Sequence, residues 1–121
     1  MIRYSTAFIA LALISIISLS GCLNHGKPPA TIVEIKNYPY SNYAFSPDKI
    51  TVPAGTEVIW INRDSHNHTV TSDLTVKSTD EKFDSGIIRP EENFGHTFKN
   101  PGYYSYYCKI HTYMKGLVVV N

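Results

Sequence analysis

Sulfur is scarce in this chain of 121 residues: two cysteines, Cys22 and Cys108, and two methionines, Met1 and Met114. In an exported protein two thiols would normally suggest one disulfide, unless one of them is otherwise engaged. An excess of charge of one sign is missing too. Eleven basic residues face ten acidic ones, so no basic surplus points to nucleic acid. Apolar stretches are short, and the run from Ala7 to Ser18 falls below the roughly 20 residues of a comfortable membrane span. Beyond it, no segment shows a convincing apolar period of 3.6, so helices are not expected. No acid–base pair or nucleophile motif stands out, and an enzyme is not expected. What remains is a hydrophobic content of 43%, enough for one real core, and nine tyrosines, which favour strands.

The N-terminus reads as an export segment. Arg3 gives a weakly positive start, and the apolar run suits a signal-peptide core. It ends in Leu19-Ser20-Gly21-Cys22, which resembles the lipobox of prokaryotic lipoproteins, where a cysteine after small residues is lipidated and becomes the new N-terminus. An ordinary cleavage site and an uncleaved anchor are the weaker alternatives. The resemblance implies residues 1–21 as signal peptide and 22–30 as a lipidated tether, rich in Asn, Gly, Lys and Pro. His25 falls in that tether and reads as solvated. It also implies an exported protein held to the cell membrane through Cys22. Loss of residues 1–21 removes Arg3 and leaves ten charges of each sign. Cys108 is then a lone thiol in an oxidising compartment, a liability unless a metal ion occupies it.

The remaining chain, 31–121, reads as strands and turns. Strands are expected at Thr31–Ile35, Lys49–Val52 and Thr56–Asn62. Asn37 to Ser46, with Pro39, three tyrosines and then Pro47, is expected to be loop. A polar loop, Arg63 to Asn67, feeds His68–Ser72. Asp73 to Glu81 is a charged surface excursion with room for a helical turn, and its charges need be no more than a solvated face. Phe83–Ile88 is expected as a short strand or strand edge, Asn93–Phe98 as an alternating strand, and Asn100-Pro101-Gly102 as a turn. Tyr103–Cys108 should place Tyr104, Tyr106 and Cys108 inward and Tyr103 and Tyr107 outward, because side chains alternate. Gly116–Val120 closes the set. The expectation is all-β: an antiparallel sandwich of seven or eight strands with Trp60 in its core.

Within Cys108-Lys109-Ile110-His111-Thr112-Tyr113-Met114 lie one thiol, one imidazole and one thioether. An ion that shuttles between soft Cu(I) and harder Cu(II) needs ligands tolerable to both. Thiolate and thioether suit Cu(I), and imidazole suits either. A trigonal His₂Cys set with a weak axial Met is the blue-copper arrangement. The loop offers three of these four groups, and the second histidine must come from elsewhere. His66 and His68 are two residues apart, so an extended segment would point both the same way; His96 is a further candidate. Zinc is the rival ion, but its structural sites avoid thioether, and chance clustering with Met114 as core filler is the plain alternative.

From about Phe45 to Val120 the chain resembles the small cupredoxins of the plastocyanin and amicyanin type. The resemblance is carried by Phe45-Ser46-Pro47, Ile50-Thr51-Val52, Gly55-Thr56, Val58, Trp60, Asn62, Asp64 and His68-Thr69-Val70. It continues through Phe83-Asp84-Ser85-Gly86, Phe94, His96-Thr97-Phe98 and Pro101-Gly102. Tyr104, Tyr106, Cys108, His111, Met114, Gly116, Val118 and Val120 complete it. It implies an eight-stranded Greek-key sandwich with one type 1 copper near one end, bound by His68, Cys108, His111 and Met114. The family's ligand stands directly before Thr-Val, which selects His68. His96 falls where the family has a structural residue. Thr69 is expected to supply a polar contact to the thiolate. The edge of His111, with Thr112 and Tyr113 on its rim, should meet redox protein partners transiently.

The implied function is single-electron transfer by a membrane-tethered monomer with no small-molecule substrate. Copper storage or delivery is the alternative, although open Met- or His-rich sites suit it better. A multicopper oxidase needs His-Cys-His, which Tyr107-Cys108-Lys109 lacks. A dinuclear centre needs a second loop cysteine, absent at Ile110 and Thr112.

Overall fold

A computed structural model of the chain describes residues 26–76 and 81–121. The expected signal peptide, Cys22 and His25 lie outside the described residues, as does part of the excursion after Asp73. Among the described residues there are eight strands and no helix. They are β1 (Thr31–Tyr38), β2 (Ser41–Ser46), β3 (Lys49–Val52), β4 (Thr56–Asn62), β5 (Thr71–Ser72), β6 (Asn93–Phe98), β7 (Gly102–Tyr107) and β8 (Lys115–Val120).

They form two four-stranded sheets, in the orders β2-β1-β4-β6 and β3-β8-β7-β5. β1 runs parallel to β4 and β3 parallel to β8; the other neighbours are antiparallel. The sheets face each other because each strand is apolar on one side. β4 shows this best: Thr56, Val58, Trp60 and Asn62 are buried and the residues between them are partly exposed. In β7, Tyr104 and Tyr106 turn inward, and Tyr103 stays exposed, as strand alternation requires. Val33, Ile35, Val58, Phe98 and Val118 fill the interior around Trp60. The Trp60 ring meets Tyr106 edge-on, with centroids 5.3 Å apart, and stacks on Phe94 at 5.9 Å. Such offset and edge contacts suit aromatic quadrupoles.

Some expectations need correction. The sandwich is not wholly antiparallel, since β1 with β4 and β3 with β8 pair in parallel. Asn37–Ser46 is not loop: β1 continues to Tyr38, only Pro39 and Tyr40 turn, and β2 returns antiparallel from Ser41. Alternation explains it, since Phe45 is buried and packs edge-on against Tyr106 at 4.8 Å. The prolines sit where strands tolerate them, one in the turn and Pro47 just past the strand's end. Phe83–Ile88 is a strand edge, not a strand. It makes two isolated bridges, Thr71 with Asp84 and His68 with Ile88, around Gly86 at φ +64°. Backbone bonds tie it to His68, Val70 and Ser72, and serine side chains add to them: the Val70 amide donates to Ser85 Oγ at 2.8 Å and the Phe83 amide to Ser72 Oγ at 3.1 Å.

Chain direction sets the functional end. β4 and β7 both deliver their C-termini to one end of the sandwich, carrying Asn62 and Tyr107 toward the two loops that matter. The opposite end holds the Pro53–Gly55 turn, where Gly55 adopts φ +88°, a conformation that favours glycine. Lys27 also lies there, 2.9 Å from Glu57 near the start of β4.

β8 approaches β7 so closely that a Cβ on Gly116 would stand 2.1 Å from a ring carbon of buried Tyr106. Gly116→Ala should therefore destabilise the fold by about 1–3 kcal/mol through overpacking, read as a lower urea midpoint of the metal-free protein. An unchanged midpoint would show that the ring can move aside.

Candidate metal centre

Two loops meet at the end of the sandwich. The first begins where β4 ends. Buried Asn62 acts as its staple: its Nδ2 donates to the carbonyls of His66 at 2.7 Å and Ile88 at 3.0 Å, and its Oδ1 accepts the Asp64 amide at 2.9 Å. This pins the backbone of Arg63–Asn67 and fixes where His68 emerges. The second loop follows β7. Cys108 donates its amide to the Met114 carbonyl at 3.1 Å, and Met114 donates to the His111 carbonyl at 2.9 Å. A closed turn results, bringing three sulfur and imidazole residues back toward one place.

Cys108 Sγ is the centre of that place. It lies 3.9 Å from His68 Nδ1 and 3.8 Å from His111 Nδ1. Among the described residues, His68, Cys108 and His111 form a group whose ligand atoms all lie within 4.8 Å of one another. Metal–nitrogen bonds of about 2.0 Å and metal–sulfur bonds of about 2.3 Å, set 120° apart, need sulfur-to-nitrogen spacings of about 3.7 Å. Both sulfur-to-nitrogen spacings lie close to that value, so a single ion fits between the thiol and the two imidazoles. Met114 is buried beside them. With the softness of the donors, His68, Cys108, His111 and Met114 are arranged as a type 1 copper site.

The rest of the shell favours a thiolate. The amides of Thr69 and His111 donate to Cys108 Sγ at 3.3 and 3.5 Å. The contact expected from Thr69 thus comes from its backbone; its hydroxyl instead accepts the Lys109 amide at 2.8 Å and ties the two loops together. Burial opposes ionisation of the thiol, yet hydrogen bonding to His68 and the two amides outweighs it and brings the pKa down to about 6. Burial likewise opposes a charge on His68, but its bonds to Cys108 and Asp64 raise its pKa above the ordinary value.

The other histidines are set apart. His66 is exposed, its ring against Tyr43 with centroids 5.1 Å apart, outside the ligand cluster. His96 also lies outside it: its Nε2 is 2.7 Å from Glu81 Oε1 and its ring stacks on Phe83 at 4.8 Å, a structural role. The sequence reading missed Tyr43, whose ring lies 4.4 Å from His111 and 5.2 Å from His68 by centroid and so roofs both imidazoles. Pro39 and the polar residues around it mask, in the sequence, the strand alternation that aims it inward. Tasks for Asn62 and Asp64 were missed as well, though their place at the end of a core strand was a signal.

Comparison with known proteins now bears on this geometry. The family model for copper binding proteins of the plastocyanin/azurin family matches residues 34–121. A chloroplastic plastocyanin of Physcomitrium patens is 37% identical over 84 residues, covering 64% of this chain and 50% of that protein. The chain thus spans about half the length of that relative. Amicyanin-alpha of Methylorubrum extorquens is 28% identical over 93 residues, covering 77% of this chain and 75% of that one. Among solved structures, a purple cupredoxin from Nitrosopumilus maritimus superposes with a TM-score of 0.66 at 34% identity, covering 75% of this chain and 99% of that one.

In the metal-free protein, ultraviolet thiolate absorbance should rise with a midpoint at about pH 6, well below the roughly 8.5 of an ordinary thiol. The group is ionised above that midpoint and neutral below it. Cys108→Ser should remove the step, whereas a wild-type midpoint near the ordinary value would mean that the donors around the sulfur do not hold a thiolate.

Proposed function

The chain belongs to the plastocyanin/azurin family of copper-binding proteins, and on that premise we propose that it carries single electrons between redox proteins while tethered to a membrane. The observation that supports this most is the meeting of His68 Nδ1, Cys108 Sγ and His111 Nδ1 within 4.8 Å, at the closed end of a rigid sandwich. When bound, copper supplies a one-electron couple between Cu(I) and Cu(II).

The residues hold each ligand in place by bonds that do not involve the ion. Asp64 holds His68, the Thr69 and His111 amides hold the Cys108 sulfur, and the Cys108 amide holds the Met114 backbone. A ligand set fixed by protein bonds shifts little when the oxidation state changes, which suits electron exchange. Open, adaptable ligands would suit copper delivery, and buried His68, Cys108 and Met114 do not offer them. His111 is only half buried. Around it the exposed side chains of Ile110 and Tyr113 make an apolar rim, and Thr112 is exposed beside them. That rim is the place for a small, transient docking contact with a redox partner.

Tethering rests on the residues before the sandwich. We propose export, cleavage before Cys22 and lipid attachment to that cysteine. Lys27 and Pro28 lie near Glu57 and Gly55, at the end away from the copper ligands. Some five residues of β4 separate Glu57 from Asn62, about 17 Å of strand. A lipid anchor on that side would leave His111 facing away from the membrane.

Cupric ion added to the purified protein should give an intense blue to purple sulfur-to-copper charge-transfer band. Cys108→Ser should abolish it entirely, and a variant that kept the colour would sink the site assignment. Met114→Gln should keep the copper but lower the midpoint potential in voltammetry, because an oxygen donor favours Cu(II) over Cu(I). In cell fractionation the wild type should sediment with membranes and Cys22→Ser should appear in the soluble fraction; unchanged sedimentation would rule out the lipid anchor.

A further inference from the structure

Behind His68 sits a carboxylate that ligation itself does not require. The Asp64 side chain is 3% exposed, and its Oδ2 lies 2.7 Å from His68 Nε2. Its Oδ1 accepts the Ser65 amide at 2.7 Å, and His66 Nδ1 stands 3.4 Å from Oδ2. Removing a carboxylate from water is costly unless donors replace the lost solvation. Here His68 Nε2, the Ser65 amide and His66 Nδ1 stand where that solvation would be. Nothing about this position forces an acid. Asn62 already staples the loop through its own three bonds, and a neutral acceptor at position 64 could still receive the imidazole proton.

We propose that Asp64 is a positioning residue for the copper ion, one that fixes the tautomer and orientation of His68 and lowers the reduction potential by placing a fixed negative charge behind that ligand. This rests on the copper electron-carrier reading. With Nε2–H donated to Asp64, the lone pair of His68 is on Nδ1, the nitrogen 3.9 Å from Cys108 Sγ. A carboxylate on the far nitrogen also raises the basicity of the near one. Both effects favour the more highly charged ion. Cu(II) gains more than Cu(I) from a more basic imidazole and from a negative charge across one ring, in surroundings where Coulomb interactions are weakly screened. An asparagine would keep the shape and an acceptor but remove the charge.

The test compares copper-loaded wild type, Asp64→Asn and Asp64→Ala by Cu(I) and Cu(II) affinity, midpoint potential and copper electron paramagnetic resonance. Asp64→Asn should keep the coloured band and lose about tenfold in Cu(II) affinity, with little change for Cu(I). That tenfold difference equals a rise of about 59 mV in the one-electron potential. Asp64→Ala, which also frees the ring, should lose up to about 100-fold and broaden the resonance. Should the alanine variant fail to fold, the near-isosteric asparagine variant decides. An asparagine variant with wild-type potential and a lower unfolding midpoint would make Asp64 a purely structural residue and overturn the proposal, with the electron-carrier reading intact. If the wild type itself gave no reversible copper couple, both readings would fall.

Discussion

The structure depends on holding one buried sulfur between two loops that are 40 residues apart in sequence. Cys108 Sγ receives the Thr69 amide from one side and the His111 amide from the other. Sulfur is a weak acceptor when neutral and a much better one as thiolate. The pair of donors therefore makes sense only for the charged form. Two imidazoles within 4 Å and a buried thioether give that charge a purpose. Had either loop been displaced by an ångström or so, the sulfur would be a buried unpaired group, which is costly.

What keeps both loops in place is the sandwich and a few polar staples rather than the site itself. β4 and β7 belong to different sheets, and Trp60 and Tyr106 meet between them. The same two strands then run on into Asn62 and Cys108. The closeness of the core aromatics thus fixes the distance between the loops before any ligand is considered. Asn62 fixes the first loop from within, and the Thr69 hydroxyl joins it to the second through the Lys109 amide. Outside these, Lys109 pairs with Asp84, which also accepts the Thr71 hydroxyl at 3.2 Å. That exposed pair adds little energy by itself, but it lies along the same seam.

Much of this was legible in the sequence because period-two patterning survives wherever one face is buried. β4 and β7 were read correctly from alternation, including which tyrosines point inward. The loop ligands were legible from chemistry, since thiol, imidazole and thioether at short spacing suit few ions. Choosing His68 over His66 needed the family resemblance, because spacing alone left both open. The structure separates them by loop geometry: His68 follows the turn that Asn62 imposes, and His66 is spent on its outer side. Tyr43 and β2 were lost because two prolines and several polar residues looked like loop, although both prolines fall outside the strands. Of the two readings open for Phe83–Ile88, the strand edge holds and the short strand does not. The segment bonds to His68–Ser72 through scattered backbone pairs supplemented by serine side chains, an irregular edge that patterning cannot tell from a strand.

A carrier of electrons needs a site that is insulated yet reachable, and those demands conflict. Burial of His68, Cys108 and Met114 excludes water and holds the ligands rigid. It also lengthens the path to any partner, unless one ligand reaches the surface. His111 is that exception here, half buried under Tyr43 and flanked by exposed Ile110 and Tyr113. Apolar neighbours at that edge suit a brief encounter, because they shed water readily and add no strong charge pairs to be broken on release. The carboxylate of Asp64, by contrast, sits behind the ligand that stays inside. On the proposed reading, charge that acts on the ion is kept away from the face offered to a partner. If both proposals hold, a change at position 64 alters the redox balance of the site without altering the docking edge, because the two properties fall to different histidines.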